Sequence, residues 1–250
     1  MEHNLNLFID KPDILILTET WLDEDVSNLE LNLKDYLVYR KDRIVPRCIG
    51  ENCPSNSSVD SIAPGADEIV ECTCGTKRGG GVIIAVRKHL SSSSIDITSN
   101  YDEVSCAEEV YVKVSVGEIN YILTALYMPP YASEFHYLVH IENLENIINS
   151  FSDCKLVICG DFNLPKAYWY YHDGLKLSIQ TGCDLKTKHC ANLLHNLYST
   201  LNLNQVFPNH THKSYTLDLM FAKYNTVHYY HSSDQLCYIY FAKHSIFIDT

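Results

Sequence analysis

The sequence predicts an α/β domain in which stacked β-sheets are flanked by helices. Short apolar runs rich in β-branched residues, which indicate strands, alternate along the chain with stretches whose apolar residues recur at helical spacing. The chain has 250 residues, of which 46% are hydrophobic and 20% charged, and this composition is typical of a globular protein. We therefore expect one layered domain spanning residues 1–250.

Five segments are predicted to form strands: residues 13–18, 81–86, 110–116, 121–127 and 155–159. The segment 110–116 alternates strictly between apolar and polar residues, so we expect it to be half buried. The other four are continuous apolar runs, a pattern typical of strands that are covered on both faces. Helical spacing of leucines and isoleucines predicts two helices, over residues 137–151 and 190–201.

The composition argues against several classes of protein. No apolar run approaches the about 20 residues that a membrane helix needs, so no membrane association is expected. The sequence shows no secretory signal, and ten cysteines are too few for a disulfide scaffold, so we expect an intracellular location, either nuclear or cytoplasmic. The formal net charge of −12 argues against a protein that coats nucleic acid by neutralising phosphates. It is compatible with an enzyme that meets DNA through a metal and one basic edge.

The segment 39–47 is locally basic, with four basic residues and one acid. It is either a solvated surface turn or the basic edge of a DNA-binding surface.

Residues 46–77 are rich in Pro, Gly, Ser, Asn and acids and show little periodicity, so we predict a loop insertion. Its cysteines, Cys48, Cys53, Cys72 and Cys74, could bind zinc or could be incidental thiols. The usual zinc signature of two C-x2-C pairs is not present, which favours incidental thiols.

The strongest local signal for chemistry is the sequence Gly-Asp-Phe-Asn-Leu-Pro at the end of the predicted strand 155–159. Gly160 allows a close backbone approach. Asp161 and Asn163 are two residues apart, so in extended chain their side chains would leave the end of the sheet on the same side. A carboxylate beside an amide suits a hard cation or a water molecule that must be oriented. The alternative is an ordinary Asx-type turn after a strand.

Two more acids and a tyrosine are candidate site residues. Glu19 follows the predicted strand 13–18, where burial is unfavourable unless the carboxylate is paired or binds a metal; an exposed loop acid is the alternative. Asp218 interrupts an apolar run, and a half-buried acid there needs a cation, a histidine or backbone donors. Tyr127 ends the predicted strand 121–127 before two prolines that prevent its continuation, and simple packing is the alternative.

Five motifs, in this order, resemble the endonuclease/exonuclease/phosphatase superfamily, which has the DNase-I-like fold. They are Thr18-Glu-Thr-Trp-Leu22, Arg78-Gly-Gly-Gly-Val82, Tyr127-Met-Pro-Pro130, Gly160-Asp-Phe-Asn-Leu-Pro165 and Leu217-Asp-Leu-Met-Phe221. More closely, the chain resembles the endonuclease domain of non-LTR (LINE-type) retrotransposons. The resemblance covers about residues 5–221, apart from the insertion, and implies a four-layer α/β/β/α sandwich.

The resemblance also implies a role for each candidate. Glu19 would bind a divalent metal, Mg²⁺ or alternatively Mn²⁺. Asp161 would orient or deprotonate the attacking water, and Asn163 would help to place the water and the phosphate. Tyr127 would donate a hydrogen bond to a phosphate oxygen. Asp218 would fix the catalytic histidine that stabilises the pentavalent phosphorane.

Two departures from the family pattern concern the ends of the sequence. The family opens with a strand that carries an asparagine near the metal site. That strand is expected to be missing here, which would expose a sheet edge and indicate an N-terminally truncated copy. The family closes with an Asp-His pair, and one alignment meets Asp234 followed by Gln235 in place of the histidine. The favoured alignment takes His244 as the histidine but lacks the paired acid.

The resemblance therefore implies a DNA endonuclease that nicks a target strand by metal-dependent phosphodiester hydrolysis and leaves a 3′-hydroxyl. One alternative is a catalytically impaired or inactive remnant of such a domain, because a glutamine cannot replace an imidazolium. A small-molecule phosphatase of the same superfamily is less favoured. We expect a monomer with DNA as its partner, and the sequence contains no reverse-transcriptase portion before its last residue, Thr250.

Overall fold

Two β-sheets stacked face to face form the centre of the molecule in the computed structural model, which describes residues 12–43, 79–97, 106–206 and 217–223, and the backbone of 228–231 and 236–240. Two helices pack on the outer side of the second sheet. The predicted α/β sandwich is confirmed.

The strands of the described residues, in chain order, are β1 (Ile14–Thr18), β2 (Tyr36–Lys41), β3 (Val82–Arg87), β4 (Ser91–Ser94), β5 (Glu108–Val116), β6 (Ile119–Tyr127), β7 (Lys155–Asp161), β8 (Ala167–Tyr171), β9 (Leu175–Ile179), β10 (Asn204–Gln205), β11 (Asp218–Ala222), β12 (His228–His231) and β13 (Leu236–Tyr240). The helices are α1 (Glu134–Ser150) and α2 (Leu185–Thr200). All five strands and both helices predicted from periodicity are confirmed.

The first sheet is antiparallel, in the order β12-β13-β1-β3-β2. Its central strand β1 pairs with β3 on one side and with β13 on the other, where Ile14 lies opposite Ile239. The sheet edge that a missing first strand would expose is not open at β1, because β13 hydrogen-bonds along it. That part of the sequence-based expectation is wrong.

The second sheet has the order β10-β11-β7-β6-β5-β4. Its pairs are antiparallel except for β6 and β7, which are parallel and are joined by the crossover helix α1. Parallel strands end at the same edge of a sheet, so Tyr127 at the end of β6 and Asp161 at the end of β7 lie beside each other. A separate hairpin, β8 and β9, packs against α2.

Apolar side chains fill three layers. Between the sheets, alternate residues of facing strands meet, for example Ile16 and Ile84 of the first sheet and Val112 and Leu123 of the second. The outer face of the second sheet packs against the two helices around Phe162. The outer face of the first sheet is covered by residues of the turn-rich segment 19–35 and its neighbours.

Both helices begin at polar caps that their sequences supply. The Asp184 carboxylate accepts a hydrogen bond from the backbone N–H of Thr187 at 2.8 Å, at the start of α2. At the start of α1, the backbone N–H of Ser133 donates to Nδ1 of His136 at 3.0 Å. These caps explain why both helices start earlier than the apolar periodicity alone predicts. Within the described residues, neither helix has the length and apolar character needed to cross a membrane.

Candidate active site

Three of the predicted site residues lie side by side at one edge of the second sheet. Asp161 ends β7, where its register partners are Tyr127 on the parallel strand β6 and Asp218 on the antiparallel strand β11. Strand alternation turns all three side chains towards the first sheet, on the face that holds Cys159 and Met220. Two carboxylates directly opposite each other on neighbouring strands are destabilising unless something compensates their charge.

The first sheet contributes Glu19 to the same place. The hydroxyl of Thr18, the last residue of β1, donates to Oδ1 of Asp218 at 3.3 Å and so links the two sheets. Glu19 follows with a left-handed backbone, at φ 51°. The next two backbone N–H groups, of Thr20 and Trp21, donate to the carbonyls of Gly81 and Gly80. This turn leaves the Glu19 side chain half buried rather than in an exposed loop.

Asn163 lies in the loop that follows β7 and holds the Asp161 carboxylate. Its backbone N–H donates to Oδ1 of Asp161 at 2.9 Å, and its side-chain Nδ2 donates to the carbonyl of Met128 at 2.7 Å. The backbone of Asn163 is left-handed, at φ 46°, a conformation that asparagine tolerates better than most residues. The Asx-type turn and the candidate site, which the sequence left as alternatives, are therefore the same structure.

Two further hydrogen bonds, both made by the backbone of Phe162, hold the loop that follows β7. The buried hydroxyl of Tyr137, on α1, donates to the carbonyl of Phe162 at 2.7 Å, and the Phe162 N–H donates to the carbonyl of Leu217. Gly160 is required by the close approach of β6, because a Cβ atom there would overlap the carbonyl oxygen of Leu126. The predicted close backbone approach at Gly160 is confirmed.

Burial and like charges dominate the electrostatics of the site. Burial raises the pKa of Asp161 well above its ordinary value, the Asp218 and Glu19 carboxylates raise it further, and the Asn163 N–H opposes the shift. Burial also raises the pKa of Tyr127, with smaller contributions in the same direction from Glu19 and Asp161. The Asp218 and Glu19 carboxylates thus disfavour the ionisation of Asp161, and a cation among them would relieve this.

The available oxygens fit a hard divalent cation. Mg²⁺ is commonly bound by one or two carboxylates, with waters and substrate phosphates as its other ligands. Glu19 and Asp161 supply two such carboxylates. In the part of the chain that the structure describes, no three His, Cys, Asp or Glu side chains are arranged as a complete metal cage. This donor set therefore matches a site that is completed by water and substrate.

Several predicted residues lie outside the described part of the chain. These are His244, Asp234 and Gln235 at the C-terminal end, and Cys48, Cys53, Cys72 and Cys74 of the predicted insertion. The histidine partner of Asp218 and the zinc alternative both stay predictions.

Sequence reasoning missed two residues beside this site. Glu108 opens β5, is 2% exposed and is the register partner of Tyr127. Its Oε1 accepts a hydrogen bond from Nε of Arg43 at 3.3 Å. Arg43 belongs to the basic segment 39–47, and for residues 39–43 the interpretation as a solvated turn is wrong: they include the end of β2, and the arginine side chains are largely buried and ion-paired.

Comparisons with known proteins identify the family. Residues 3–234 match the model of the Endonuclease/Exonuclease/phosphatase family. The catalytic domain of human Nocturnin has a similar structure, with a TM-score of 0.53 and 15% identity over 97% of this chain and 87% of that chain. No curated protein matches the chain.

Two other solved structures are similar at lower TM-scores. The endonuclease domain of TRAS1, a telomere-specific non-LTR retrotransposon, has a TM-score of 0.44 and 14% identity over 65% of this chain and 73% of that chain. TDP2 of D. rerio, complexed with a single-strand DNA product, has a TM-score of 0.45 and 12% identity over 95% of this chain and 88% of that chain. The family match spans nearly the whole sequence, and the Nocturnin likeness shows the same fold. The chain belongs to the Endonuclease/Exonuclease/phosphatase family.

Proposed function

We propose that the protein is a metal-dependent DNA endonuclease of the retrotransposon type, which nicks a target strand by phosphodiester hydrolysis and leaves a 3′-hydroxyl. The observation that carries the proposal is the register alignment of Tyr127, Asp161 and Asp218 across three adjacent strands, with Glu19 facing them from the other sheet. The five ordered motifs that resemble non-LTR endonuclease domains support DNA as the substrate.

Asp161 is the residue that accepts the proton of the attacking water. Its carboxylate is buried at the end of β7, beside Tyr127 and Asp218, and a positioned carboxylate is a typical general base. The Asn163 N–H holds one carboxylate oxygen and so fixes the orientation of the group. The amide side chain of Asn163 is anchored on Met128, which places it beside the same carboxylate.

Tyr127 binds the phosphate as a neutral phenol. Burial and the neighbouring acids raise its pKa, so the hydroxyl keeps its proton at neutral pH and can donate a hydrogen bond to a phosphate oxygen. Asp218, held by the Thr18 hydroxyl, would orient His244 in the role that the family resemblance implies.

Glu19, together with Asp161, would hold Mg²⁺, with Mn²⁺ as the alternative. When bound, the metal would supply positive charge against the charge of the phosphate. The contribution of the chain is to hold the two carboxylates at facing sheet ends, where their mutual repulsion favours a cation.

The test is nicking of supercoiled plasmid by the purified chain, with Mg²⁺ and with EDTA, beside the variants Asp161→Ala and Asp153→Ala. Asp153 is an exposed turn aspartate and serves as the matched control. We expect nicking that requires Mg²⁺, is lost in Asp161→Ala and persists in Asp153→Ala, and nicks that a DNA polymerase can extend. Nicking that Asp161→Ala leaves unchanged would overturn the assignment of the site.

A catalytically impaired remnant is the second candidate, and the alignment that places Gln235 at the position of the family histidine favours it. This candidate predicts a folded chain that binds Mg²⁺ through Glu19 and hydrolyses no DNA. Hydrolysis of a small phosphate ester without DNA nicking would instead support the phosphatase alternative.

A further inference from the structure

The row of register partners at the site extends to a fourth strand. Glu108 on β5 lies opposite Tyr127, which lies opposite Asp161, which lies opposite Asp218. The inter-sheet face of this end of the second sheet therefore carries three acids and one phenol. Glu108 is the most deeply buried of the three acids, and a cation accompanies it.

That cation is Arg43, whose guanidinium contacts a carboxylate, a hydroxyl and two aromatic rings. Its Nε donates to Oε1 of Glu108 at 3.3 Å, and its Nη2 donates to the hydroxyl of Tyr131 at 3.4 Å. Its Cζ lies 5.7 Å from the centroid of the Tyr127 ring and 6.0 Å from that of the Tyr131 ring. The guanidinium is thus fixed against the ring of the proposed phosphate-binding tyrosine.

The glycine segment 79–81, which follows the predicted insertion, packs closely against the Arg43–Glu108 ion pair. A Cβ atom on Gly80 would come within 2.9 Å of Glu108 Oε2 and 3.1 Å of Arg43 Nε, and the backbone there is left-handed, at φ 81°. A side chain at Gly80 would therefore displace the pair. The Gly-Gly-Gly sequence, which the family resemblance left without a physical role, gives the arginine and the glutamate room to meet.

Stability alone does not account for this arrangement. A buried ion pair is often no better for stability than a packed apolar pair, because both charges lose their hydration. Burial raises the pKa of Glu108 to about 7 even though Arg43 and the Gly81 N–H oppose the shift. A substrate phosphate bound at Tyr127 would lie near three acids, which repel it. Arg43, whose guanidinium lies over the Tyr127 ring, supplies a positive charge that offsets this repulsion.

We propose that Arg43 is a further substrate-binding residue that contacts a phosphate of the DNA backbone, and that Glu108 is the positioning residue that holds it over Tyr127. This inference rests on the proposed function. Arg43 has the chemistry for it, because a guanidinium is always charged and recognises phosphate well. Glu108 acts through Arg43 and touches no substrate.

The test measures binding of a short DNA duplex as a function of salt, using chains that carry Asp161→Ala so that no cleavage occurs. The slope of log K against log salt reports how many phosphates are neutralised, at about 0.9 for each. We expect Arg43→Gln to reduce the slope by about 0.9. Arg40→Gln is the control, because Arg40 is on the same segment, is equally buried and pairs with Asp42 instead.

A double variant separates charge from folding. Arg43→Gln alone leaves Glu108 without its cation, so Arg43→Gln with Glu108→Gln removes both charges and should show the same reduced slope. In chains with an intact site, Glu108→Gln should raise KM for DNA by about 10-fold or less and leave kcat near that of the wild type.

The outcomes distinguish this inference from the proposed function. If the wild-type chain cleaves DNA but Arg43→Gln has the same salt slope of DNA binding as the control Arg40→Gln, the role of Arg43 is overturned and the proposed function is not. A wild-type chain that neither binds nor cleaves DNA would overturn the proposed function and this inference together.

Discussion

Tyr127 and Asp161 are direct register partners at the ends of the parallel strands β6 and β7. The hydrogen-bond ladder continues past the strand ends, because the N–H of Met128 donates to the carbonyl of Asp161 at 2.8 Å. The positions of the phenol and the carboxylate are therefore set by one ladder, and a change in the strand pairing should displace both.

Gly160 is the position where β6 and β7 approach too closely for a side chain. Gly160→Ala should lower the free energy of unfolding by about 3 kcal/mol or more, because the added methyl overlaps the backbone carbonyl of Leu126 and no side-chain rotation can relieve it. Urea unfolding measures this. Gly117→Ala, in a turn with open space around it, should cost only the about 1 kcal/mol of its left-handed backbone. Equal losses in the two variants would contradict the close strand approach.

Glu108 should make stability depend on pH. Burial raises its pKa from an ordinary value of 4.5 to about 7. The folded state holds this proton more tightly than the unfolded chain, so the contribution of Glu108 to stability is fully present below pH 4.5 and is lost as the pH rises through about 7. The total change is about 3 kcal/mol, at about 1.4 kcal/mol for each pH unit.

The measurement is urea unfolding at several pH values between 4 and about 8. Glu108→Gln should make the decline in this range smaller than in the wild type, since glutamine does not titrate, and Asp161, whose pKa is also raised, accounts for the decline that remains. The exposed Glu118→Gln should follow the wild-type curve. Parallel curves for wild type and Glu108→Gln would show that Glu108 titrates normally.

Mg²⁺ should stabilise the fold through Glu19 and Asp161. A ligand present at 100 times its Kd stabilises a protein by about 2.7 kcal/mol, so the thermal midpoint should rise with added Mg²⁺. The rise should grow with pH, because the raised pKa of Asp161 means that protons compete with the metal. Glu19→Gln should reduce the shift, and the exposed Glu24→Gln should keep it. A shift that is equal in both variants would place the metal elsewhere.

A buried polar network under the second sheet should be important for stability alone. Fully buried His140 lies with Nδ1 3.1 Å from Oε1 of Glu109 and Nε2 2.9 Å from the hydroxyl of Tyr198. His140→Leu should cost about 3–5 kcal/mol, because the buried Glu109 carboxylate loses its hydrogen-bonding partner in the core. Thermal or urea unfolding measures the loss. His89→Leu, which breaks an exposed pair with Asp13, should cost less than about 1 kcal/mol.

A second substitution tests the reason for that loss. If the uncompensated carboxylate causes it, His140→Leu combined with Glu109→Gln should recover part of the stability. If the two residues are not coupled, the losses of stability in His140→Leu and Glu109→Gln should simply add in the double variant, and this result would contradict the explanation.

The sequence revealed the strands that are buried on both faces. β1, β3, β6 and β7 lie between apolar layers, and this burial produces the continuous apolar runs from which they were predicted. β2 and β4 were missed, since one carries basic residues and the other consists of four serines. They are strands because they pair with β3 and β5, and such pairing is not visible in local sequence.

The sequence likewise indicated some residues of the candidate site and not others. Tyr127 and Asp161 could be found because each ends an apolar strand, and Asp218 because it is an acid within an apolar run. Glu108 was missed because the predicted strand began two residues later, at residue 110, and Arg43 because its partner is far away in sequence. His140 carries no local signal in the sequence either, because its partner Glu109 lies 31 residues earlier.

The most direct test of the site compares two identical changes on β6, Tyr127→Phe and Tyr121→Phe. Both tyrosines are nearly fully buried and face the first sheet, at opposite ends of the strand. The single-turnover rate of plasmid nicking with Mg²⁺ should fall by about 10²-fold or more in Tyr127→Phe, which loses a hydrogen-bond donor to the phosphate. It should change little in Tyr121→Phe. Equal rates in the two variants would contradict the placement of the reaction at the ends of β6 and β7.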